Sequence, residues 1–137
     1  MIVRNCSGGI VFYEDSVLLL LTDKHEWVFP KGVIRGGEKM TDVAIDRVKI
    51  EAGIDASIVA PCGKSHYEFF SVTRQKPVHN NVSWFVMTTT NNNPVADKEE
   101  GFEGAYFVSI EKALNQITYS QDKSLLMMAY QRYKEII

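Results

Sequence analysis

Strand-like runs on both sides of one glycine-led helix, with a further amphipathic helix closing the chain, predict a mixed α/β protein of the α+β layered kind. Three observations carry that expectation. β-branched and aromatic residues gather in short runs bounded by turn residues. Apolar residues recur at helical spacing between Asp42 and Ala52, and the same period returns between Gln121 and Ile136. For 137 residues, a single domain spanning 1–137 is the simplest organisation.

The segment "SGGIVFYEDSVLLLLTD" reads as a hairpin, Gly9 to Tyr13 and Ser16 to Thr22, joined at Glu14-Asp15. "HEWVFPKGVIRGGE" follows, and its proline and glycines exclude regular helix, leaving a loop or a short strand entering a loop. Thr41 is the expected N-cap of the helix Asp42 to Ala52, whose apolar positions are Ala44, Ile45, Val48 and Ala52, with Gly53 as its stop. "DASIVAPCG", "SHYEFFSVT" and "NVSWFVMTTT" read as strands, separated by turn-like "RQKPVHNN" and "NNNPVADKEEG". "GAYFVS" is the last strand, and Ser109 is a candidate cap for a short helix from Ile110 to Leu114. In the final helix Leu125, Met128, Ala129, Tyr133 and Ile136 form the apolar stripe, with Met127 and Met128 read as core filler.

A hydrophobic fraction of 45% with 23% charged residues suits a chain that buries a core. The formal net charge of -2 supplies no sequence-wide basic field, which argues against a long nucleic acid as partner. Cys6 and Cys62 form neither a disulfide framework nor a CxxC metal motif, so reduced, buried thiols are expected. The start, "MIVRNCSGGIVF", lacks a secretory pattern, and "SVLLLL" falls far short of the ~20 apolar residues that span a bilayer. A cytoplasmic protein without a membrane partner is expected, as a monomer or a homodimer.

The informative stretch is "GVIRGGEKMTDVAIDRVKIEAGI", Gly32 to Ile54. Gly32, Glu38, Val48, Glu51, Gly53 and Ile54 fall in the spacing of the Nudix box, GX5EX7REUXEEXGU with U aliphatic, and the chain resembles that family. "GGIVFY...VLLLL", "WVFPKG" and "EGFEGAYFVSIEKALNQITY" extend the likeness to the small Nudix hydrolases that cleave diadenosine tetraphosphate. The resemblance implies the Nudix fold, an α/β/α sandwich with a mixed central sheet. It also implies a pyrophosphohydrolase dependent on Mg2+ or Mn2+, and a small phosphorylated, nucleotide-like ligand.

The box is degenerate. Where the family writes R-E-U-x-E-E, this chain has Asp46-Arg47-Val48-Lys49-Ile50-Glu51. Helical spacing turns positions 47, 50 and 51 toward the loop that starts at Gly32. In the family that face is a carboxylate cluster, and Mg2+ is a hard ion that prefers such oxygens. Here Glu51 alone remains, Arg47 puts positive charge beside it, and Asp46 faces Glu38 with like charge. Catalysis is expected to be impaired by the loss of two glutamates, with a non-catalytic nucleotide or phosphometabolite binding or sensor module as the alternative.

The candidate catalytic residues are Glu51 and Glu38; Glu51 is otherwise half of an exposed Arg47–Glu51 pair, and Glu38 a support for its loop or simply a solvated residue. The candidate metal ligands are Glu51, the backbone carbonyl of Lys31, Glu100 and Glu103, binding weakly. Lys31 and Arg35 flank a glycine loop suited to phosphate. Tyr67 and Trp84, like His66 and Phe69, are candidates for stacking on a base, against the plainer reading that strand aromatics belong to the core.

Overall fold

The computed structural model describes residues 1–137. The strands are β1 (Ile2–Tyr13), β2 (Ser16–Thr22), β3 (Trp27–Val28), β4 (Lys31–Val33), β5 (Ser57–Ser71), β6 (Lys76–Thr88) and β7 (Phe102–Ser109). The helices are α1 (Met40–Ala52), α2 (Ile110–Gln116) and α3 (Ser120–Ile136), with a 3-10 turn at Lys98–Glu100. The sheet runs β3-β2-β1-β6-β5, with β4 on β1 and β7 on β2. It is mixed, since β1 lies parallel to β6 and its other pairings are antiparallel. β1 is shared along its length: Cys6 to Gly8 meet β4, whereas Phe12 and Tyr13 meet β2 across the expected hairpin.

Because strand side chains alternate between faces, the sheet carries two cores. On one face Ile10, Phe12, Leu19, Trp84 and Val86 pack with Ala113 of α2 and with Leu125, Leu126, Ala129 and Tyr133 of α3. On the other, Val11, Leu18, Leu20, Phe85 and Met87 pack with Ala44, Val48 and Ala52 of α1. The result is the expected α/β/α sandwich. Both cysteines are free and buried, and no helix is long and apolar enough to cross a membrane.

Several boundaries differ from expectation for identifiable reasons. Thr41 lies inside α1; Lys39 is the N-cap without a side-chain bond, its carbonyl accepting from the Val43 N–H at 3.0 Å. Gly53, at φ 67°, ends α1 as expected, its N–H bonded to the Lys49 carbonyl. The two runs after α1 are one strand, β5, interrupted by bulges at Val59 and at Cys62–Gly63, while Pro61 stays in register opposite Phe85. β6 begins at Lys76, so most of the turn-like "RQKPVHNN" is strand: pairing with β1 and β5 overrides the turn propensity of His79, Asn80 and Asn81. Ser109 caps α2, accepting from the Lys112 N–H. In α3 the stripe is Leu125, Leu126, Ala129 and Tyr133. Met127, Met128 and Ile136 are exposed, contrary to the core positions assigned to Met127 and Met128.

Candidate functional site

β4 leads into a loop whose tip is tied by Glu38. Its N–H donates to the Arg35 carbonyl at 3.0 Å, and its carboxylate accepts from the Arg35 N–H at 2.7 Å. Gly37, at φ 83°, supplies the left-handed residue this turn needs. Glu38 is exposed and bonded to its own loop, which fits its reading as a loop support, and the charges acting on Glu51 are Arg47, Lys31 and Glu100. The Arg35 and Asp46 side chains are also exposed.

Glu51 is 2% exposed, on the last turn of α1. One turn earlier, Arg47 lays its stem across Gly32, so closely that a Cβ at Gly32 would come within 2.5 Å of Arg47 Cδ. Close approach, rather than an unusual backbone angle, is what requires glycine there. From this seat Arg47 Nε donates to Glu51 Oε2 at 2.7 Å, Nη2 lies 2.7 Å from the same oxygen, and Nη2 donates to Glu100 Oε2 at 3.0 Å. Burial pushes the Glu51 carboxyl up to about 7, with Arg47 and Lys31 pulling the other way. Burial also opposes the charge on Arg47, but Glu51 and Glu100 outweigh it and hold the guanidinium protonated.

The expected metal ligands are therefore only partly assembled. Glu51 and Glu100 converge, but on Arg47. Glu103 lies elsewhere, its carboxylate 3.9 Å from His25 Nδ1, and the Lys31 backbone stands in the β1–β4 ladder opposite Gly8. Ile50 is 43% exposed and offers no oxygen. No group of three or more His, Cys, Asp or Glu side chains is arranged to hold a metal ion. With a guanidinium bonded to Oε2 of both carboxylates and no third acid beside them, the donor set does not fit Mg2+ or Mn2+, which would have to sit against a fixed positive charge.

Lys31 joins this cluster to a platform on the neighbouring strands. Its Nζ is 5.5 Å from the centre of the Tyr67 ring, and its charge acts on both Glu51 and the half-buried Asp122 of α3. Tyr67 and Phe69 alternate along β5 with rings 6.1 Å apart and 26° from parallel. The Tyr67 hydroxyl accepts from Asn80 Nδ2 at 2.8 Å, Asn80 Oδ1 accepts from Arg4 Nε at 2.9 Å, and the Arg4 guanidinium lies 5.5 Å from the Phe69 ring. Tyr67 is 38% exposed and Phe69 40%. Arg4, Asn80 and Asp122 carried no local signal, since the parallel register of β1 on β6 is what sets Arg4 beside Asn80.

Trp84, assigned to the ligand, is a core residue. It is 3% exposed, sits edge-on to Phe29, and donates its indole N–H to Ser65 Oγ at 2.8 Å, leaving no ring face free. His66 lies off the Tyr67 platform, its Nδ1 facing Asn81 Oδ1 at 3.3 Å, as alternation along β5 requires. Two open clefts, of about 520 and 440 Å³, lie outside this cluster, at the β1–β2 turn and between Ile50 and the 3-10 turn.

A family model described as NUDIX domain matches residues 2–128. A curated relative from Mycobacterium tuberculosis (strain CDC 1551 / Oshkosh), named for a mutator protein, MutT4, is 29% identical over 103 residues. These are 75% of this chain and 40% of the relative, so this chain spans less than half of that relative's length. Among solved structures, an Ap4A hydrolase of C. elegans in a binary complex superposes with a TM-score of 0.75 at 20% identity, covering 98% of this chain and 99% of that one. The dihydroneopterin triphosphate pyrophosphohydrolase of E. coli gives 0.72 at 17% identity, over 92% and 95%. At these identities the structural likeness speaks for the fold alone.

Proposed function

This chain belongs to the Nudix family, and from that membership we propose that it binds a nucleoside diphosphate derivative, such as a dinucleoside polyphosphate, and hydrolyses it with impaired efficiency. The observation that carries the reading is the Arg47 guanidinium held by Glu51 and Glu100, a cation kept where the family resemblance expects carboxylates. Lys31, beside the Tyr67 ring, suits a ligand with phosphates at one end and a base at the other. Arg35 adds a second loop cation. The sequence likeness of "WVFPKG" and "EGFEGAYFVSIEKALNQITY" to the small Nudix hydrolases that cleave diadenosine tetraphosphate favours a polyphosphate-bearing nucleotide as the class.

In this reading water attacks a phosphoanhydride bond, and Glu51 serves as the base. A carboxyl raised to about 7 suits proton transfer near neutral pH. Impairment follows from the carboxylates missing at positions 47 and 50, because groups that act as a unit fail together. The same guanidinium favours a second reading, a non-catalytic binding or sensor module that keeps a cation for phosphate. A cytoplasmic location, and a monomeric or homodimeric state, go with either.

The test is release of mononucleotide or phosphate from diadenosine tetraphosphate and a panel of nucleoside diphosphate derivatives, with Mg2+ or Mn2+, against Glu51→Gln. Slow turnover that disappears in the variant supports the hydrolase. Thermal stabilisation by one of these ligands without turnover supports the module. Neither turnover nor stabilisation across the panel contradicts both.

A further inference from the structure

Arginine carries five N–H donors in a planar fork. In Arg47 the Nε–H goes to Glu51 and Nη2 donates to Glu100, with Nη2 also 2.7 Å from Glu51 Oε2 as an ion pair. Nη1 has no partner in the protein. Because no buried side-chain nitrogen or oxygen lacks one, Nη1 opens to solvent, consistent with the 26% of the Arg47 side chain that remains exposed. The stem lies on Gly32. Two carboxylates and a glycine floor therefore hold the guanidinium in place while one pair of donors stays free.

A fixed guanidinium with free N–H groups is a phosphate receptor, and its orientation is arranged before the ligand arrives. Lys31, the residue before Gly32, brings a second cation within range of the same Glu51 carboxylate. We infer that Arg47, clamped by Glu51 and Glu100, grips the ligand's phosphate groups through Nη1 together with Lys31, so that a diphosphate binds here without a divalent ion. This rests on the phosphorylated-ligand reading above and adds how that ligand is held.

Calorimetric titration of the full chain with ADP and with inorganic pyrophosphate, in EDTA and in excess Mg2+, tests it. Binding is expected in EDTA, with Mg2+ tightening it by no more than about twofold. Arg47→Lys keeps the charge but loses the fork, and weakens binding about tenfold with thermal stability retained. Arg47→Met combined with Glu51→Gln removes the buried pair together and weakens binding at least as much, which guards against a single variant that fails to fold. Binding that occurs only with Mg2+ overturns the inference and leaves the ligand class standing. Wild-type affinity in both variants also overturns it. Absence of binding by either probe in either buffer overturns the inference and the ligand reading together.

Discussion

Arg47 and Glu100 are 53 residues apart in sequence and 3.0 Å apart in space, Nη2 to Oε2. Backbone bonds fix that meeting: the Val95 N–H donates to the Ala52 carbonyl at 2.8 Å and the Asp97 N–H to the Glu51 carbonyl at 3.3 Å. The segment after β6 is thereby laced to the end of α1, and the 3-10 turn that follows delivers Glu100. Glu51, from the helix, and Glu100, from the turn, meet as a carboxylate pair with a guanidinium between them.

Removing that guanidinium strands a buried charge. Arg47→Ala leaves Glu51, whose side chain is 3% exposed, without its bonded counter-ion, and stability at pH 8 should fall by ~3 kcal/mol in urea denaturation. Arg47→Met with Glu51→Gln leaves no charge to bury and should stay within ~1 kcal/mol of the wild type. Equal losses in both would assign the cost to packing instead.

The raised Glu51 carboxyl gives stability a definite slope with pH. Between the ordinary 4.5 and the folded value of about 7, the folded protein holds a proton that the unfolded chain has released. Stability from this group therefore falls as pH rises through that window and levels off above it. The drop is on the order of 3 kcal/mol, and it should vanish in Glu51→Gln. A rise over the same window that Glu51→Gln abolishes would mean that Arg47 outweighs burial.

Gly32 tests the seat of the arginine stem. The three atoms nearest to a Cβ there all belong to the Arg47 side chain, Cδ, Cγ and Nε, at 2.5 to 2.8 Å. Gly32→Ala should displace a side chain rather than the backbone, lowering Tm by ~4 °C or less while weakening pyrophosphate binding in EDTA. Unchanged binding would contradict the part given to the Arg47 orientation.

Two aromatic residues separate the ligand platform from the core. Tyr67→Ala should weaken binding of an adenine nucleotide by ~1 to 3 kcal/mol, with little change in stability and none in pyrophosphate affinity. Trp84→Ala should cost ~3 to 5 kcal/mol of stability, and Trp84→Phe should bind as the wild type does. A nucleotide affinity that follows Trp84→Phe and ignores Tyr67→Ala would reverse this assignment.

The parts of the fold governed by local chemistry were legible in the residues. The hairpin through Glu14-Asp15, the helix that Gly53 stops, and the Ser109 cap each depend on a few neighbouring positions. What depends on pairing across the sheet was not legible. His79, Asn80 and Asn81 look like turn residues until β1 and β5 flank them. Trp84 looks available until Ser65 and Phe29 enclose it. In the site, i to i+4 spacing foretold the meeting of Arg47 with Glu51. The third partner, Glu100, was one of several acids in a loop, and only the backbone bonds from Val95 and Asp97 distinguish it from Glu103.

If Arg47 holds the place of a cation, an Mg2+ titration of the wild type and of Arg47→Glu, followed by calorimetry and thermal shift, will separate the two proteins. The wild type should show no saturable Mg2+ binding at millimolar concentration. The variant, with a third carboxylate beside Glu51 and Glu100, should bind Mg2+ and gain ~1 kcal/mol or more of stability from it, about 4 °C in Tm. Saturable Mg2+ binding by the wild type, no weaker than in the variant, would mean that Arg47 does not take the place of a cation.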